Sequence, residues 1–78
     1  MSSQNKLTRA RERIAYNLRA LRLKSGLPQD TLSASAGISQ TFFSQVETGK
    51  RNISVDTLER IADAMGVDVI DLLQPLPV

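Results

Sequence analysis

The sequence predicts an all-α fold, five short helices in a single small domain. Apolar residues recur at steps of three and four along the chain, and no segment alternates with the period of two that a strand requires. Glycines at 26, 37, 49 and 66 stand where these periodic stretches run out. Ser39, Ser54 and Asp68 precede the stretches that follow, as short oxygen-bearing side chains do at helix starts.

Residues 1–6, "MSSQNK", read as a polar lead-in. From Leu7 a first amphipathic helix is expected, with Ala10, Ile14, Leu18 and Leu21 as its buried stripe and Ser25-Gly26 as its end. Leu23 lies opposite that stripe and receives no role. Pro28 suits the first turn of a second helix, since proline lacks an N–H that would be unpaired there anyway. Asp30 favours the same start through the helix dipole. Leu32 and Ala36 form the buried pair of this helix, Ser33 and Ala34 are small enough to let another helix approach, and Gly37 stops it.

The third helix carries an apparent contradiction, two phenylalanines within the polar run "ISQTFFSQVETGK". Spacing residues 40–48 at about 100° each resolves it. Gln40, Ser44, Thr48, Thr41 and Gln45 fall on one arc, and Phe42, Val46, Phe43 and Glu47 on the other. The aromatic side chains anchor one face, while the opposite face offers only hydroxyls and carboxamides. Thr48-Gly49 closes this helix and "KRN" follows in a loop. Ser54 caps a fourth helix with the stripe Val55, Leu58, Ile61, Ala62 and Met65, ended by Gly66. Asp68 and Asp71 form a capping box, with Val67 and Leu72 as hydrophobic staple, for a short fifth helix ending before Pro75. The domain thus runs over 7–74, with 75–78 as a tail.

The 78 residues leave no room for a separate sensing or catalytic domain, and a core of this size gains from docking with a second copy. Cys and His are both absent, so disulfides, thiolate metal sites and the commonest general base are missing; the eight carboxylates are scattered. The expectation is therefore no enzyme, no cofactor, no metal and no small-molecule ligand. No apolar run approaches the roughly 18 residues of a membrane span. With no export signal either, a cytoplasmic protein without membrane partners is expected. Residues 1–51 carry nine basic side chains against three acidic ones, residues 52–78 one against five. Such asymmetry fits either a face turned to a polyanion or ordinary solvated helix charges.

A helix, a glycine-containing turn and a second helix with a polar outer face form a helix-turn-helix arrangement. The second helix of such a pair fits the major groove, where Gln pairs with adenine in a bidentate fashion and Ser or Thr bonds base edges or phosphates. The frame "GLPQDTL…AGIS…VETGKRN" resembles the lambda-repressor-like helix-turn-helix family, also called the Cro/repressor or XRE type. The likeness spans residues 14–73, about three-quarters of the chain, with five helices in the family's order. It implies a five-helix DNA-binding domain in which Gln40, Thr41, Ser44 and Gln45 read bases. Gln29, Lys50, Arg51 and Asn52 then reach phosphates, and Thr48, at the end of the polar arc, is placed with them. It also implies a structural ion pair between Arg22 and Glu47. Physics independently favours that pair, because Glu47 lies on the inward arc, where an unpaired carboxylate is costly.

Three features depart from the family pattern: Pro28 replaces a Ser or Thr cap, Ser33 stands for Ala, and the arm before residue 14 is longer and more basic. In that arm Arg9, Arg11 and Arg13 either touch DNA or merely solvate the first helix. Val69, Ile70 and Leu73 are apolar for the end of so small a domain, which suggests a two-fold dimer contact. The expected function is a sequence-specific transcriptional regulator of repressor or controller type. It binds double-stranded DNA at a pseudo-palindromic operator as a homodimer. The alternative is a protein-interaction module on the same helical fold.

Overall fold

The computed structural model describes residues 9–77. The lead-in at 1–6, Leu7 and Val78 lie outside the described residues. Five helices follow in order: α1 (Ala10–Ser25), α2 (Gln29–Ala36), α3 (Gln40–Glu47), α4 (Val55–Met65) and α5 (Val69–Leu72).

Helix α1 opens with the Glu12 carboxylate accepting the backbone N–H of Arg9 at 3.2 Å, which satisfies one orphan donor of the first turn. Pro28 does not begin α2 from within. It occupies the cap position with extended backbone, φ −76° and ψ 159°. Its carbonyl accepts the N–H of Leu32 at 3.3 Å, so the helix proper starts at Gln29.

The turn from α2 to α3 is set by Gly37 at φ 73°, a left-handed conformation that costs other residues a Cβ clash. The N–H groups of Gly37 and Ile38 return to the carbonyls of Ala34 and Ser33 at 3.1 and 3.0 Å. This is a Schellman closure, and Ile38 packs on the core as its apolar contact. Ser39 then accepts the N–H of Phe42 at 3.0 Å, fixing the start of α3. The side chains of Ser54 and Asp68 cap α4 and α5, and the Asp68–Asp71 box is present.

All five helices contribute to one core: Ile14 and Leu18, Leu32 and Ala36, Phe43 and Val46, Leu58, Ile61 and Ala62, and Leu72. Helix α2 packs on both α3 and α4, while α1 packs on both α3 and α5. Three of these assignments differ from expectation. Ala10 is exposed, because as the first residue of α1 it lies a full turn before Ile14, where the helix meets the core. Val55 is 76% exposed, because as the first residue of α4 it points past the core that Leu58 and Ile61 enter. Ala34 is exposed on α2, whereas Ser33 is buried, its hydroxyl donating to the Asp30 carbonyl at 3.1 Å.

Candidate nucleic-acid interface

Helix α3 divides as its period requires. Phe43, Val46 and Glu47 are buried and Phe42 packs half-buried against the core. Gln40, Thr41 and Thr48 are exposed, with Ser44 and Gln45 partly so. Gln40, Thr41, Ser44 and Gln45 meet Gln29, the first residue of α2, around one open hollow of ≈ 300 Å³. Five hydrogen-bonding side chains from the two motif helices thus share one surface.

Glu47 anchors that surface from behind. Arg22 donates from Nε to Oε2 at 2.5 Å and from Nη2 to Oε1 at 3.2 Å. The Glu47 side chain is only 4% exposed, so the paired charge is what makes its burial tolerable. Gln29 adds a third donor, Nε2 to Oε1 at 2.8 Å. One amide hydrogen of Gln29 is therefore held by Glu47, and its second N–H and carbonyl oxygen remain for another partner. Thr48 turns its hydroxyl back on its own helix, 3.2 Å from the Ser44 carbonyl and 3.1 Å from that of Gln45. A hydroxyl has a single hydrogen, so donating to a phosphate would require giving these contacts up.

The loop after α3 turns at Gly49, and the Lys50 N–H binds the Gln45 carbonyl at 2.9 Å. Lys50, Arg51 and Asn52 are all exposed. Arg51 bends back so that its guanidinium carbon lies 5.1 Å from the centroid of the Phe42 ring. The same loop passes the start of α1: Arg9, Ala10, Arg11 and Glu12 line a cleft with Gly49 and Asn52. Arg9 and Arg11 at the start of α1, and Lys50 and Arg51 in the loop after α3, are all exposed cations. The acidic side chains Asp56, Glu59 and Asp63 sit on α4, and Asp68 and Asp71 cap α5.

Three residues have roles that sequence reasoning missed. Arg13 is neither a solvated cation nor an outward-facing one; it is half-buried and donates to the Leu73 carbonyl at 3.3 Å. Asn17 donates to the carbonyls of Leu72 and Gln74 at 3.2 and 2.9 Å. Together they bind the last carbonyl of α5 and those of the two residues that follow it. Arg60 donates from Nε to the carbonyl of Ala36, the last residue of α2, at 3.0 Å. Its one sequence signal is that it is the lone cation among five acids. Val69 and Leu73 are half-buried against the core, and Ile70 is 59% exposed beside them.

Two motif helices joined by a tight turn, with the second offering a polar face, define a helix-turn-helix domain. A family model described as helix-turn-helix matches residues 18–72, and the chain belongs to this XRE-type family of DNA-binding transcription regulators. It is similar to the HTH-type transcriptional regulator y4dJ of Sinorhizobium fredii, 38% identical over 65 residues, which cover 83% of this chain and 84% of that one. Among solved structures it resembles the hypothetical transcription factor NHTF from Neisseria, with a TM-score of 0.81 and 36% identity, covering 86% of this chain and 77% of that one. It also resembles the restriction-modification controller protein C.AhdI from Aeromonas hydrophila, with a TM-score of 0.76 and 31% identity, covering 80% and 94%.

Proposed function

We propose that the protein is a sequence-specific DNA-binding transcriptional regulator of the repressor or controller type, acting as a homodimer on a pseudo-palindromic operator. The observation that carries this reading is the division of α3, whose buried Phe43 and Val46 turn Gln40, Thr41, Ser44 and Gln45 outward together. Their carboxamides and hydroxyls suit base edges in a major groove. Lys50, Arg51 and Asn52, with the second N–H of Gln29, hold the phosphates on either side and set register without reading sequence. The exposed Ile70, flanked by Val69 and Leu73, supplies the two-fold contact. Two copies of α3 then enter successive major grooves about 34 Å apart. With dimer formation governing occupancy, the concentration of the protein itself controls the operator.

Selection from a pool of random duplexes, followed by sequencing, tests the proposal. Enrichment of an inverted repeat with half-sites one helical turn apart is expected. Recovery of no common sequence, in buffer of moderate salt, would leave only non-specific affinity and reject it.

A further inference from the structure

Arg51 and Phe42 form the one contact at this surface that the reading above leaves without a purpose. Phe42 sits at the border of the two arcs of α3, three residues before Gln45, with one side against the core. Arg51 approaches its outer side, the guanidinium carbon 5.1 Å from the ring centroid. A cation over a ring face is held by the quadrupole of the ring, and the N–H groups at the edge of the guanidinium plane stay available. Among the described residues the only ion pair is Arg22–Glu47, so no carboxylate competes for the Arg51 charge. An arginine otherwise gives up much rotamer freedom when it binds.

We propose that Phe42 is a positioning residue for DNA binding: its ring holds the Arg51 guanidinium beside α3 in the pose in which it meets a phosphate. The inference rests on the DNA-binding reading above. Phe42 touches no nucleotide in this role and acts only through Arg51. It also gives a use to an aromatic ring at the edge of the polar face, whose inner side packs on the core.

The full 78-residue chain is titrated onto a duplex recovered by selection, over a series of salt concentrations. The variants are Phe42→Leu, Phe42→Tyr, Arg51→Ala and the Phe42→Leu/Arg51→Ala pair. Phe42→Leu should bind about two- to fivefold more weakly. Its log–log salt slope should stay that of wild type, because the charge is still there to meet the phosphate. Phe42→Tyr keeps the ring and should bind as wild type does. Arg51→Ala should reduce the slope by about one unit. In the Arg51→Ala background Phe42→Leu should cost nothing further.

An undiminished loss in the double variant would mean that Phe42 acts through the core or on the DNA itself, and would overturn the proposal. So would a Phe42→Leu variant that binds like wild type. Should Phe42→Leu prove unfolded, the upfield ring-current shift expected of the Arg51 side-chain protons in the free wild-type protein decides the matter, and random-coil shifts there refute the stack. A wild-type chain that bound no duplex would instead reject the DNA-binding reading, and this role with it.

Discussion

Glu47 accepts from three donors, two on Arg22 and one on Gln29, so a single carboxylate joins the ends of three helices. Removing the cation alone leaves that charge buried with one amide for company. Arg22→Met should cost about 3–5 kcal/mol, a large part of the roughly 4–12 kcal/mol expected of a domain this size. Adding Glu47→Met should restore most of the loss, since apolar replacement of both partners is often neutral. Urea unfolding of the single and double variants measures both. On the opposite face the effects belong to binding rather than folding. Gln40→Ala or Gln45→Ala should weaken cognate binding by ~1–3 kcal/mol and relax specificity, whereas Lys50→Ala should weaken all sequences alike. Titrations on cognate and scrambled duplexes separate the two patterns, and equal losses on both duplexes for either glutamine would remove it from base reading. The orientation of α3 was readable from a period of 100° per residue, and with it the need of the inward Glu47 for a partner; that the partner is Arg22 came from the family resemblance. The engagement of Gln29 by Glu47 and the folding back of the Thr48 hydroxyl were not readable. Both depend on which rotamer a polar side chain adopts, and sequence pattern does not encode that.

At the level of elements, punctuation proved the most readable signal, because a cap or a left-handed glycine acts within three or four residues of itself. Ser39, Ser54 and Asp68 all cap as their positions suggest. Gly37 stands at φ 73° with nothing within 4 Å of an added Cβ, so a substitution there meets a backbone penalty and no steric one. Gly37→Ala should therefore destabilise by about 1–2 kcal/mol with the fold retained, measured as a lower urea midpoint at unchanged m-value. A larger loss, or a changed m-value, would show that the motif turn depends on more than backbone conformation. The long-range clamps were unreadable for a matching reason. Arg13 and Asn17 meet carbonyls 55 to 60 residues away, and Arg60 meets one 24 residues away. Backbone carbonyls are present at every residue, so nothing in the sequence marks which of them an arginine or asparagine will find. The misjudged Val55 has a local cause. A periodic stripe does not reveal where the first turn of a helix rises beyond its neighbours.

Across the whole molecule, α1 links the two surfaces that regulation would need. It packs on α3 at one side and on α5 at the other, and Arg13 and Asn17 fasten the end of α5 to it. A two-fold contact through α5 would thereby fix the separation and tilt of the two copies of α3, which a pseudo-palindromic site demands. The apolar surface available for that contact is uneven. Val69 and Leu73 spend part of their area on the core, while Ile70 is 59% exposed and contributes little to the fold of the monomer. An Ile70→Asp variant should consequently melt close to wild type yet sediment as a monomer, because two like charges would face each other across the axis. On DNA it should bind an isolated half-site with wild-type affinity and lose the steep concentration dependence on the inverted repeat. If sedimentation equilibrium instead finds Ile70→Asp still dimeric, the contact lies on another face, and the exposed Tyr16 and Leu23 of α1 become the surface to alter next.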